Sequence, residues 1–277
     1  MRRSILIVAL TACALASPSL AHSEEEINTY AFVEGPNLND ASVQDHSVVI
    51  VKGSTNASAL NELRQAHPQL RFVNYEQAFA LNPTEAAYAR ERGWLAITCD
   101  GGEIRPKNIP QVTLMDGTIP QARDWRTQLV GDETNTNGYD GSYLDTLGAY
   151  FNQDFYTGRP CGLTDQQWRD ASIATVDLVQ AKTGRFVIEN GFGLGSSRAY
   201  EQHKVGSDML IAAGDAVQVE QFLRVNGRKD ADVALIVSIN VQGKDVYAKC
   251  KTASETQCRS AFVRAGNVDR NYLSVSN

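Results

Sequence analysis

Short apolar runs alternate with amphipathic stretches along almost the whole chain. Residues 47–51 are an unbroken β-branched run, the pattern of a strand buried on both faces. Residues 29–33 and 70–75 read as further strands, and a helix over 56–66 lies between 47–51 and 70–75, with Leu60 and Leu63 on one side and Pro68 after it. Asn82-Pro83 opens the next helix and Gly93 ends it. The runs 94–98 and 112–115 are short and apolar, separated by Gly101-Gly102 and prolines that mark an excursion. A helix is expected over 118–130, polar turn residues over 131–138, and a strand ending on Asp145. The clearest helix covers 164–182. Thr164 and Gln167 have capping-box spacing, Trp168, Ala171, Ala174, Leu178 and Ala181 form a stripe, and Gly184 sits at a left-handed stop. Beyond it, strands are expected over 185–189, 208–212, 233–239 and 272–275. Helices are expected around Val219, Phe222 and Leu223 and over 255–264.

Strand, helix, strand, helix with mostly non-alternating strands means a parallel sheet wrapped by helices. About eight such units fit a single closed (β/α)₈ TIM barrel better than an open sheet. The first 21 residues stand apart from this pattern. Arg2-Arg3, an apolar run and Ser19-Leu20-Ala21 have the layout of a secretory signal, which leaves residues 22–277 as the barrel. Leu10-Thr11-Ala12-Cys13 also fits a lipoprotein box, so the expectation is an exported protein, periplasmic or secreted, or else anchored to the membrane at Cys13.

The net charge of −6, with no long run of Lys or Arg, argues against nucleic acid or an anionic membrane as partner. Four cysteines follow the signal: Cys250 and Cys258 pair across a local loop, which leaves Cys99 with Cys161. No Cys-x-x-Cys or His-x₃-His spacing supports a metal site. No dinucleotide fingerprint or phosphate loop is present, so no cofactor is expected, and Gly191 to Gly195 reads as a loop at the barrel mouth.

The carboxyl ends of barrel strands converge on one rim. On the strand assignment above, that rim carries Tyr75, Glu76, Asp116, Tyr143, Asp145, Glu189, Asn190, Asp215 and Asn240. Acid pairs with aromatic platforms suit glycoside hydrolysis, in which one carboxyl protonates the leaving oxygen while another attacks or activates water. A serine-nucleophile elbow is absent, and His46, His67 and His203 follow no strand end. Asp140 begins its strand on the face opposite Asp145 and supports structure.

The stretch Gly138-Tyr-Asp-Gly-Ser-Tyr-Leu-Asp-Thr-Leu-Gly-Ala-Tyr150 resembles the G-[FY]-D-G-x-[FY]-L-D-T-L-D-x-Y segment of the endo-α-1,4-polygalactosaminidase-like (β/α)₈ glycoside hydrolases, family 114 and its relatives. Val187-Ile-Glu-Asn-Gly-Phe192 is similar to a V-I-x-N-x-G-F segment of that family with one residue missing, and 112–116 resembles a strand ending on Asp. The resemblance implies cleavage of an amino-sugar or related exopolysaccharide, with Asp145 as a catalytic carboxylate. Two departures stand out. Gly148 replaces the second acid of L-D-T-L-D, and Ala213 occupies the place of the Glu in an Ala-Glu-Ser type segment. Asp215 or Glu189 would then supply the second acid, Asp215 being equally suited to cap a helix. The expected function is an exported hydrolase of a polysaccharide or oligosaccharide, with Asp145, Asp215 and Glu189 as catalytic candidates and Tyr75, Glu76, Asp116, Tyr143, Asn190 and Asn240 as substrate contacts. The alternative is a catalytically impaired, hydrolase-like sugar-binding protein.

Overall fold

A computed structural model describes residues 27–224, 227–251 and 253–275. The signal-like segment and Cys13 lie outside them. Eight parallel strands form one sheet in sequential order: β1 (Tyr30–Glu34), β2 (Val48–Lys52), β3 (Arg71–Gln77), β6 (Gly141–Gly148), β7 (Phe186–Phe192), β8 (Ala216–Phe222), β9 (Asp245–Cys250) and β10 (Asn271–Val275). A parallel bridge from Thr29 to Leu273, with the Leu273 amide donating to Asn28 O at 2.9 Å, brings the last strand back to the first. The sheet is therefore a (β/α)₈ barrel.

Helices α1 (Asp40–Val43), α2 (Ala57–Ala66), α4 (Pro120–Thr136), α5 (Asp165–Thr183), α6 (Ser197–Gln202), α7 (Lys204–Ala213), α8 (Lys229–Val241) and α9 (Glu255–Arg264) occupy the crossovers. Between β3 and α4 the chain makes an excursion through α3 (Pro83–Arg90) and a small antiparallel pair, β4 (Ala80–Leu81) and β5 (Thr113–Leu114). The short apolar runs over 94–98 and 112–115 thus lie outside the barrel.

Side-chain alternation sorts the sheet into two layers. Tyr30, Val48, Ile50, Val73, Tyr143, Ile188, Ala216, Tyr247 and Tyr272 fill the barrel. Val49, Val51 and Phe72, and likewise Leu144, Val187, Val217 and Val246, face the helices. The β2 run Val48–Val51 is wholly inaccessible, as a strand covered on both sides should be. Helix α5 has its expected capping box and its left-handed stop at Gly184 (φ 64°). Its buried face runs through Trp168, Ala171, Ser172, Thr175, Val176 and Val179, rotated away from Ala174, Leu178 and Ala181.

Three expected elements change. Residues 208–212 belong to helix α7, and 233–239 to helix α8. The residues around Val219 and Phe222, expected as a helix, are strand β8. Strand β9 had no counterpart in the sequence reading. Helix α4 also continues through Gly131 to Thr136, where turns were expected. Both cysteine pairs are bonded as expected, Cys99–Cys161 and Cys250–Cys258. They point to an oxidising environment. Among the described residues no helix is long and apolar enough to cross a membrane.

Candidate active site

Asp145 faces inward near the carboxyl end of β6, where the ladder to β7 slips between Leu144 and Leu147. Thr146, at φ 66°, takes a left-handed conformation that costs a β-branched residue on the order of 1–3 kcal/mol. Bulges commonly re-aim a side chain beside a site. Here the turn swings the Thr146 amide onto Asp145 Oδ1 at 2.8 Å, and Asn190 Nδ2 donates to the same oxygen at 2.9 Å. Tyr75 Oη donates to Oδ2 at 2.5 Å and itself accepts from Gln77 Nε2 at 2.8 Å. Gly191 permits this kink: a Cβ there would lie 1.9 Å from the Leu147 carbonyl oxygen.

A second bulge interrupts β8 against β9 between Val219 and Phe222, and Leu223 follows at φ 58°. Glu220 sits in that break and, with the inward-facing Ala216 and Gln218, points into the barrel mouth. Asp145 and Glu220 line one cavity of ≈ 440 Å³ with Tyr75, Asn190, Tyr150 and Phe192. Their strands are separated by β7 alone, so their backbones stand about two strand spacings, roughly 10 Å, apart. Both side chains project inward across that gap.

Burial pushes the Asp145 carboxyl above its ordinary range, and the charge of Glu220 adds to this. The donors Tyr75, Thr146 and Asn190 pull it down by less. Lys251 Nζ donates to Glu220 Oε1 at 3.0 Å at the open edge. Below Asp145, Tyr75 stacks on Tyr143 with ring centroids 5.2 Å apart. Tyr143 donates to Gln218, whose amide donates to Tyr30 Oη at 3.0 Å, which fixes the cleft floor. Phe155 and Phe192 meet edge to face at 5.3 Å on the wall, beside the Gly191–Gly195 loop.

Of the expected rim residues, Tyr75, Asp145 and Asn190 come together in this cleft, and Tyr143 lies beneath it. The others lie elsewhere. Glu76 follows an inward tyrosine and so faces outward, where it accepts from Arg126 Nη2 at 2.8 Å. Glu189 precedes the inward Asn190 and likewise faces outward; it is fully buried against Gly214, and neither of its oxygens completes a hydrogen bond. Asp215 stands before β8 at the amino end of the sheet and accepts from the Val187 amide at 2.9 Å and from Gln180 Nε2 at 2.8 Å. Asn240 lies on α8, exchanging hydrogen bonds with Asn271 at the amino end of β10. Asp116 accepts from the Thr118 amide at 2.9 Å within the β3–α4 excursion. Ala213 is the last residue of α7, so it does not stand at a strand end; the strand that follows reaches the rim as Val219-Glu220-Gln221. Glu220 was missed because its segment read as a helix. Among the described residues no cluster of His, Cys, Asp or Glu could hold a metal.

No protein-family model and no curated protein matches the chain. Solved structures do. The α-galactosidase from Thermus thermophilus, in complex with stachyose, superposes with a TM-score of 0.55 at 11% identity, covering 90% of this chain and 61% of that one. The cycloalternan-degrading enzyme from Trueperella pyogenes, in complex with a covalent intermediate, gives 0.58 at 10% identity, covering 90% and 41%. A GH31 family sulfoquinovosidase from E. rectale gives 0.54 at 12%, covering 80% and 38%. The likeness is one of fold. The chain spans less than two thirds of the length of each of these enzymes.

Proposed function

We propose that the protein is an exported glycoside hydrolase that cleaves an α-linked polysaccharide or oligosaccharide with Asp145 and Glu220 as its carboxylate pair. The observation that carries this reading is the pair of bulges, one at each acid, which turn two carboxylates from strands β6 and β8 into one cleft. Asp145 accepts hydrogen bonds on both oxygens from Tyr75, Asn190 and Thr146, the arrangement of a carboxylate held to meet positive charge at the reacting carbon. Glu220, at the open edge, is the acid/base: it delivers a proton to the leaving oxygen and later takes one from water. Tyr150, Phe155 and Phe192 offer the aromatic faces on which sugar rings pack.

The sugar-cleaving enzymes of similar fold support the reaction class, and the signal-like segment with two disulfides supports export. The resemblance to the polygalactosaminidase-like family makes an α-1,4-linked galactosamine polymer the first substrate to try. Release of reducing ends from a panel of α-linked polysaccharides tests the reading. Wild-type protein should release them and Asp145→Asn should not. Sugar binding without any release would make the protein a sugar binder instead.

A further inference from the structure

On the far side of the mouth from Asn190 stand two lysines that the reaction above does not use. Lys52 ends β2 and Lys249 lies near the end of β9, both inward by alternation with Ile50 and Tyr247. Their ammonium groups lie over the same ring, Phe32, at 5.2 and 4.6 Å from its centroid, and Lys52 also lies 4.8 Å from the centroid of Tyr75. Tyr75 is the residue that donates to Asp145. Among the described residues neither ammonium makes a hydrogen bond or an ion pair. By contrast Lys251 is bound to Glu220, and Lys182, Lys204 and Lys244 all reach oxygen acceptors.

The surroundings make this arrangement costly as plain structure. The chain is acidic overall, yet Lys52, Lys249 and Lys251 gather on one edge of the cleft. Burial depresses the Lys249 pKa, and the charges of Lys251 and Lys52 depress it further, while Glu220 and Asp145 act in the opposite sense. Lysine stems often pack on aromatic rings with their heads in water, and that is the purely structural reading. Two heads brought to one ring with no carboxylate of the described residues in direct contact go beyond it, because like charges repel and a cation over a ring gains only about 0.5–2 kcal/mol. Beside Lys249, where β1 and β10 meet at the Thr29–Leu273 bridge, a cavity of ≈ 540 Å³ is lined by Phe32, Lys249, Lys251 and Arg259, with the acids Asp45 and Glu255 also lining it. That volume falls in the range of small-molecule sites, ~300–1,000 Å³.

We propose that Lys52 and Lys249 bind an anionic sugar residue, one bearing a carboxylate or a sulfate ester, at the β1–β10 side of the cleft. The inference rests on the glycoside-hydrolase reading and narrows its substrate. It departs from the cationic galactosamine polymer that the sequence resemblance implies.

Calorimetric binding to the full-length mature protein tests it with four probes of equal length. These are an α-1,4-oligogalacturonate, its neutral methyl ester, a sulfated neutral oligosaccharide and an oligogalactosamine. The two anionic probes should bind about tenfold or more tightly than the methyl ester, and this advantage should shrink as ionic strength rises. Whichever anionic probe binds more tightly identifies carboxylate or sulfate. The double variant Lys52→Met/Lys249→Met keeps the stems on the Phe32 ring and removes the charges, so it should lose the advantage while binding the methyl ester as before. Equal affinity for anionic and neutral probes, preference for oligogalactosamine, or an anion advantage that survives the double variant overturns the proposal. Reducing-end release measured in parallel separates the two claims. Anion preference without cleavage would sink the hydrolase reading alone, and cleavage without anion preference would sink this inference alone.

Discussion

Arg126 offers a sharp test of which acids belong to the cleft and which hold the frame. It is 4% exposed on α4, and its guanidinium donates to Glu76 at 2.8 Å, Glu85 at 2.8 Å and the Gln77 carbonyl at 3.0 and 2.7 Å. It thereby ties α3 and α4 to the top of β3, directly behind Gln77 and Tyr75. Arg126→Met keeps most of the stem and removes every donor. Breaking a buried pair on one side costs about 3–5 kcal/mol, because the partner is left charged and unpaired. At about 2–4 °C per kcal/mol for a domain of this size, the melting temperature should drop by roughly 10 °C at neutral pH.

The loss should also depend on pH. Burial already raises the Glu76 pKa in the folded protein, and Arg126 opposes that rise. Without the arginine the folded-state pKa climbs further above the unfolded value. A raised carboxyl costs nothing below the unfolded pKa, and its penalty grows as pH rises toward the folded one. Urea unfolding at pH 8 and pH 5 should therefore show the larger deficit at pH 8. A deficit below ~1 kcal/mol at both values, or a larger one at pH 5, would refute Glu76 as a structural acid.

Three further outcomes follow from the same structure. The Cys99–Cys161 bond closes 62 residues and Cys250–Cys258 closes 8, so chain-entropy arguments give about 4 and about 2.5 kcal/mol; Cys99→Ser/Cys161→Ser should be the less stable of the two paired-serine variants in urea melts. Burial raises the Glu189 pKa well above its ordinary value, with Lys244 only partly opposing it, so Glu189→Gln should be more stable than wild type at pH 8, and the difference should shrink toward pH 4, where the folded carboxyl is protonated and the unfolded one mostly so. Because Glu220 helps hold the Asp145 pKa up, Glu220→Gln should lower the Asp145 midpoint in a carbon-13 NMR titration, and an unchanged or higher midpoint would show that the two acids do not share one cleft.

Much of the barrel was legible in the chain. The non-alternating run at β2 announced a parallel strand, and the cap residues Thr164 and Gly184 marked the ends of α5. Reading failed over residues 204–241, where two helices were taken for strands. Met209-Leu-Ile-Ala-Ala213 and the β-branched run from Val233 to Ile239 are short and apolar, and such runs do not reveal their period. The strand between them did show one: Val217 and Val219 face the helices, whereas Gln218 and Glu220 face the barrel. Attention to that alternation would have found Glu220.

The same period explains two other misplacements. Tyr75 with Glu76, and Glu189 with Asn190, were assigned to the rim together, although neighbours on a strand face opposite sides. Each pair contributes one residue to the cleft and one to the packing behind it. The lysines at the mouth gave no signal in the sequence, because Lys52, Lys249 and Lys251 come together only when β10 returns to β1.

The most direct measurement compares reducing-end release, on whichever α-linked polysaccharide the wild type cleaves, across Asp145→Asn, Glu220→Gln, Asp215→Asn and Glu189→Gln. The account predicts that Asp145→Asn and Glu220→Gln each lose at least about a hundredfold in kcat while remaining folded, as expected for removal of the carboxylate facing the reacting carbon and of the general acid/base. Asp215→Asn and Glu189→Gln should stay within a few fold of wild type. Full activity in Glu220→Gln, or its loss in Glu189→Gln with the fold intact, would contradict the assignment of Asp145 and Glu220 as the working pair.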